Sequence, residues 1–421
     1  MQPLVLYNVK EIATCRSKTP KIKEELGDLG VVKNASIYIL DGKILEVNKY
    51  DRFIRKLPPN SIDCSNYIAL PGFIDCHTHL VFYGSRENEF VDKIKGKGYL
   101  EILASGNGIL STVEATRKAS FSELYYKAKK TLEKMLSYGT TTIEAKTGYG
   151  LDIFNELKCL HVMDFLKKDF DIIPTYLGAH TIPKEFKNKR EDYIYSLIYN
   201  LLPLIKENKL AEFCDVFCEE NAFSVAESEY ILLRAKELGF KLKIHADQIT
   251  CSGGAELAAR LNTVSADHLE NISEKGIEEL ADKKILAVLL PTVNFHLMNH
   301  KYTPARLMIE KGVPIAIASD YNPGSSPTFY MQLVMAMACR FLKLTPAEAI
   351  NAATINAAFA VDKGNEIGSI ETDKKADIVL YEAPNFNYIP YSFGDNLAKI
   401  VVKNGKVVKF NDSQLEYEKD I

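Results

Sequence analysis

The sequence predicts an α/β protein: a (β/α)8 TIM barrel with a small β-sandwich domain built from both chain ends. Three observations predict it. Eight apolar, β-rich runs alternate with helical stretches through the middle of the chain. Both ends consist of short extended pieces joined by Asp-Gly or Asn-Gly. And 421 residues suffice for one large barrel with an accessory layer. A composition of 47% hydrophobic and 25% charged residues is that of an ordinary globular protein, which excludes disorder, collagen-like repeats and coiled coil as the main state.

At the N-terminal end, extended segments run from Pro3 to Val9 and from Ala35 to Leu40; Asp41-Gly42 then turns the chain into Lys43 to Asn48. The C-terminal end repeats this grammar with Ala376 to Glu382, Ala398 to Val402, Asn404-Gly405 and Lys406 to Phe410. Neither end can bury a sheet face alone, so residues 1–66 and 366–421 are expected to pair into one sandwich. Between them, residues 67–365 form the barrel, with strands expected at 71–76, 140–145, 172–178, 213–218, 241–246, 263–267, 286–292 and 314–319. Intervening stretches such as Phe121 to Tyr138 and Ser224 to Gly239 carry apolar residues at three-to-four spacing, with Ser near the start. A doubly wound open sheet would offer a Gly-rich turn after its first strand, and none is present.

Charge narrows the partners. Lys+Arg 52 against Asp+Glu 55 gives a net charge of -3, too balanced for a dedicated nucleic-acid binder, so a small molecule is the expected partner. The opening MQPLVLYNVKEIATC does not read as an export signal, and no apolar run approaches the ~18 residues of a membrane span. Eight cysteines without a CxxC pair fit a reducing cytoplasm, with Cys214 and Cys218 expected as inert core thiols. Gly106-Asn107-Gly108 lacks the Lys-Ser of a phosphate loop and is expected as an active-site loop.

Barrels of this kind place their chemistry at the carboxyl ends of the strands. There the sequence gathers Asp75-Cys76-His77-Thr78-His79, His180, His245-Ala246-Asp247, Asp267-His268 and Ser319-Asp320. His77 and His79, two apart on an extended segment, point to the same side and can reach one ion. With His245 and Asp320 they make a three-His, one-Asp donor set that suits Zn²⁺ or Fe²⁺ and leaves room for water or substrate. His161 and His300, each isolated, are left without a role.

PGFIDCHTHL at 71–80, HAD at 245–247 and ASD at 318–320 resemble the signature of the amidohydrolase superfamily. GSRENEF at 84–90, KTGYGL at 146–151, IHADQ at 244–248, SADHLE at 265–270 and DYNPGSSPT at 320–328 are similar, more narrowly, to its imidazolonepropionase family. The resemblance implies a single divalent metal, zinc or iron, on His77, His79, His245 and Asp320. The fourth strand ends in FCEEN, without the lysine that bridges two ions in two-metal relatives. It implies 4-imidazolone-5-propanoate as substrate, a cyclic amide with a carboxylate tail, and N-formimidoyl-L-glutamate as product, a step of histidine degradation. Arg86 is then expected to grip the carboxylate with two parallel bonds. Tyr149, His180 and Tyr99 match further substrate contacts. Asn322, Gly324 and Ser325 lie on the loop after Asp320, where Gly permits close approach to the ligand. Gln248 is assigned to binding, since an amide cannot act as a base. Asp320 is expected to carry the proton, and His268 either to polarise the carbonyl oxygen or to ligate the metal. A homodimer is also implied. The rival readings are a ring deaminase of the same superfamily, sharing the metal set but not the Arg86 pocket, and a non-catalytic assembly protein, which retention of every donor disfavours.

Overall fold

A computed structural model of the chain describes residues 3–49, 57–96 and 108–410. Its strands are β1 (Leu4–Ala13), β2 (Val31–Leu40), β3 (Lys43–Lys49), β4 (Ser61–Asp63), β5 (Ile68–Pro71), β6 (Phe73–Thr78), β7 (Thr140–Lys146), β8 (Asp171–Ala179), β9 (Phe213–Cys218), β10 (Lys241–Ala246), β11 (Ser265–His268), β12 (Leu286–Leu289), β13 (Ile315–Ile317), β14 (Ile378–Tyr381), β15 (Ala398–Lys403) and β16 (Lys406–Phe410).

Strands β6 to β13 run parallel in sequence order and form the eight-stranded barrel sheet. Most are buried along their whole length, because helices cover the outside and side chains fill the inside. The two ends of this sheet meet at the site: Asp320 N donates to His77 O at 3.0 Å and His79 N to Tyr321 O at 3.0 Å. The covering helices start where the sequence places a cap. Phe121–Ser137 and Val225–Glu237 both open with a reciprocal Ser-x-x-Glu box, Ser120 with Glu123 and Ser224 with Glu227. In the first of them Leu124, Ala128, Leu132 and Met135 form the buried stripe.

The chain ends make a second sheet in the order β16-β15-β14-β5-β1-β2-β3, with β4 beside β1. Its core buries Leu6, Ile12, Ile37, Ile378, Ile400 and Val402, as a small β-sandwich domain requires. Asp41 (φ 49°) and Gly42 (φ 78°) form the expected tight turn, and Asn404 (φ 50°) with Gly405 (φ 75°) repeats it.

One expected boundary moves. β5 pairs with β1 and β14, so the end sheet continues through Pro71, beyond residue 66. The handover falls at Gly72: its N–H donates to Asp377 O in the end sheet, while the next residue, Phe73, donates to Gly139 O beside the barrel. A Cβ at Gly72 would stand 2.2 Å from Thr141 Oγ1, so only glycine lets the two sheets join this closely. The first barrel strand accordingly starts at Phe73 rather than 71.

Candidate active site

β6 delivers His77 and His79, β10 delivers His245, and the segment after β13 delivers Asp320. One ring nitrogen from each of the three histidines lies within 4.8 Å of the others. Asp320 Oδ1 stands 3.4 Å from His77 Nε2 and 3.3 Å from His79 Nε2. All four side chains are buried, yet His77 Nε2, His245 Nε2 and Asp320 Oδ1 have no hydrogen-bond partner. Orphaned polar atoms in an interior are costly, and here they converge on one point. Three imidazole nitrogens and one carboxylate oxygen are a donor set for a divalent ion, so the residues present fit the metal that the sequence implies.

Burial favours the neutral imidazoles such a site needs. It pushes His245 down to about 3 against the pull of Asp215, and it lowers His79 and, more strongly, His180. His77 differs. Burial and Lys146 push it down, but Asp267 and Asp320 outweigh them and raise it to about 9. Burial likewise works against ionisation of Asp320, and contact with His77 and His79 holds its carboxyl well below the usual range.

Behind the histidines stand two further carboxylates. Asp267 Oδ2 lies 2.6 Å from His77 Nδ1, and Asp215 Oδ2 lies 3.0 Å from His245 Nδ1. The first contact is a hydrogen bond and the second a close ionic contact; carboxylates so placed bias which ring nitrogen faces a metal. Asp75 anchors the segment that carries Asp320: it accepts from Ser319 N at 3.0 Å and Ser319 Oγ at 2.5 Å, immediately before Asp320. Asp320 itself has φ 51° and His268 φ 79°, left-handed backbone that non-glycine residues adopt at a cost, concentrated where the expected catalytic side chains sit.

The remaining expected residues divide. His268 packs 5.5 Å from the His77 ring and 5.2 Å from the His245 ring; like Asp320, it stands outside the mutually close group of His77, His79 and His245 among the described residues. His180 stacks on His79 at 5.0 Å, and Tyr149 lies 5.5 Å from His180. Gln248 is half-buried at the rim, its carbonyl held by Asn271 Nδ2 at 2.8 Å. Tyr99 and Gly106-Asn107 lie outside the described residues.

Three loop residues expected at the ligand also order the loop itself. Asn322 donates to Asp320 O and Ser325 Oγ and accepts from Gly324 N and Ser325 N. Ser325, also expected against the ligand, donates to Asp320 Oδ2 at 3.1 Å and so turns Oδ1 toward the histidines. Gly324 makes room for Arg86, because a Cβ there would fall 1.9 Å from Arg86 Nη1. Arg86 for its part has one edge occupied: its Nε and Nη2 each lie 2.7 Å from the buried Glu89.

Sequence reasoning passed over Asp215, Lys146, Glu89 and Glu219. Glu219 follows β9 and accepts from Ile249 N, Thr250 N and Thr250 Oγ1, so it pins the loop that carries Gln248. The available signal was a charge at an inward position of a strand otherwise apolar, as in FCDVFC at 213–218.

Comparison with known proteins identifies the family. Residues 68–408 match the Amidohydrolase family. An imidazolonepropionase of Alkaliphilus oremlandii is 48% identical over 96% of this chain and 97% of its own length. One from Thermoanaerobacter pseudethanolicus is 49% identical over 95% and 96%. Among solved structures, an adenosine deaminase of Xanthomonas campestris with bound zinc superposes with a TM-score of 0.73 at 18% identity, covering 99% of this chain and 94% of that one, which establishes the shared fold. No helix among the described residues is long and apolar enough to cross a membrane. The chain belongs to the amidohydrolase family and, within it, to the imidazolonepropionases.

Proposed function

We propose that the chain hydrolyses the ring amide of 4-imidazolone-5-propanoate to N-formimidoyl-L-glutamate in the cytoplasm, with one divalent ion, zinc or iron, held by His77, His79, His245 and Asp320. The observation that carries the reading is the convergence of unpartnered His77 Nε2, His245 Nε2 and Asp320 Oδ1 in a buried cluster within this family's barrel. The bound cation supplies Lewis acidity, which makes water an effective nucleophile near neutral pH.

The chain's own groups do the rest. Asp320 accepts a proton from the attacking water, and Ser325 keeps its free oxygen aimed inward. Water oxygen adds to the lactam carbonyl carbon while His268 hydrogen-bonds the carbonyl oxygen, where negative charge develops. The ring C–N bond breaks, and Asp320 returns the proton to the departing nitrogen. Arg86 receives the carboxylate tail on its Nη1 end, with Tyr149 and His180 bordering the ring. Gln248 offers an amide to the ring edge.

The test is to incubate metal-analysed protein with freshly generated imidazolone propionate and follow the loss of ring absorbance, with guanine and cytosine assayed in parallel. Turnover of the imidazolone alone is expected; deamination of a neutral base instead would move the chain to the rival chemistry. Asp320→Ala should abolish turnover while far-UV circular dichroism stays unchanged, and near-normal turnover in a metallated Asp320→Ala protein would refute the proton-transfer role.

A further inference from the structure

Lys146, the last residue of β7, begins the KTGYGL segment at 146–151 and has no part in the chemistry above. Its side chain crosses the barrel interior. Nζ lies 2.8 Å from Glu144 Oε1, 2.8 Å from Asp215 Oδ2 and 3.4 Å from Asp267 Oδ2, and none of these four side chains exposes any surface. Asp215 and Asp267 are the carboxylates that stand against Nδ1 of His245 and His77. Among the described residues, Lys146 is the one cation within 4 Å of both.

A buried ionic cluster of this size is weak evidence for stability, because desolvating four charges consumes most of the attraction between them, and apolar residues of similar volume would serve a barrel core as well. Its placement directly behind two histidines of the donor set gives it another purpose. We propose that Lys146 is a positioning residue for the metal site: its ammonium bridges Asp215 and Asp267 so that these hold His245 and His77 with their Nε2 atoms toward the ion. The inference rests on the metal-site reading above. Without the ammonium, Asp215 faces Asp267 and Glu144 with no cation between them, Lys243 acting on Asp267 alone; the carboxylates can relax only by moving apart, and each movement takes the support from a histidine.

The experiment measures zinc affinity directly, by competition between apo-protein and a chromophoric chelator, for the wild type, Lys146→Met and Lys146→Arg. Lys146→Met is expected to weaken zinc binding by about tenfold to a hundredfold, the usual cost of losing a partner behind a metal ligand. Lys146→Arg, which changes shape but keeps a cation between Asp215 and Asp267, should bind more tightly than Lys146→Met, an order that simple loss of packing would not give. Wild-type affinity in Lys146→Met, or Lys146→Arg as weak as Lys146→Met, overturns the proposal. Should Lys146→Met not fold, Lys146→Gln decides by the same criterion: weakened binding in a folded protein upholds the role and wild-type affinity overturns it. A wild-type apo-protein that takes up no zinc would instead remove the metal-site reading itself.

Discussion

Arg86 and Gly324 show how much one hydrogen in place of a methyl group can decide. The guanidinium is fixed on one side by Glu89, which also binds Lys93 Nζ at 2.8 Å and accepts from Gly108 N at 3.0 Å, and on the other by the bare Cα of Gly324. Gly324→Ala places a Cβ inside the contact radius of Nη1, so the arginine must swing off its bidentate partner. Losing one charge-assisted bond to the substrate tail costs about 1.5–3 kcal/mol, a rise of roughly tenfold to a hundredfold in KM with kcat changed much less. Steady-state kinetics read this directly, and unchanged KM would mean that the tail is held elsewhere. Arg86→Ala should give the same signature more strongly. Arg86 was legible as a member of GSRENEF, but Glu89 was not: three residues on along a helix, it reads as an exposed ion-pair partner until the fold buries it beneath Gly108.

At the scale of elements, the helix Val225–Glu237 starts where Ser224 and Glu227 close a capping box, a local pattern that a sequence can announce. What the sequence does not announce is Arg190, 37 residues earlier, whose Nη2 meets Glu227 Oε2 at 2.8 Å and whose Nε meets Oε1 at 2.5 Å. Bonding to Arg190 first, and to Ser224 after it, draws Glu227 down to about 2. A carboxyl held below its unfolded value adds stability that is fully present above about pH 4.3 and is lost as pH falls through the folded value. Glu227 is partly solvated, so the contribution is discounted to about 1 kcal/mol. Glu227→Gln should therefore lower urea-unfolding stability by about that amount at pH 7, with the difference from wild type shrinking toward pH 2. A deficit that stayed constant over that range would mean a packing effect. The same division holds elsewhere: caps, turns and strand ends follow local rules and were readable, whereas Asp215 and Asp267 gain meaning only when β9 and β11 bring them under β7.

For the whole molecule, the decisive arrangement is that the end sheet grips the barrel at the opposite end of its strands from the active site. Asp171, the first residue of β8, binds Lys403 Nζ at 2.5 Å and Lys375 Nζ at 3.1 Å, both from the C-terminal part of the end sheet domain. Lys403 also binds Asp377 at 2.6 Å, whose carbonyl receives Gly72 N at the crossing from sheet to barrel. Tyr381 of β14 rests on Phe73 of β6 with ring centroids 5.7 Å apart. Pairing of the two ends was legible because neither could bury its own apolar face; the lysine clamp was not, since its members lie 204 and 232 residues apart. Function and stability are thereby separated along the barrel axis, as barrels of this type allow. Asp171→Ala leaves the buried Lys403 with one of its two carboxylates and should cost about 1–3 kcal/mol, less than the full loss of a buried pair because Asp377 remains. It should lower the Tm measurably, and kcat, KM and zinc affinity measured below that Tm should stay within about twofold of wild type. A fall in kcat or zinc affinity comparable to that of a substitution at the mouth would show that strain at the clamp reaches His77 through β6, and the independence of the two ends would have to be given up.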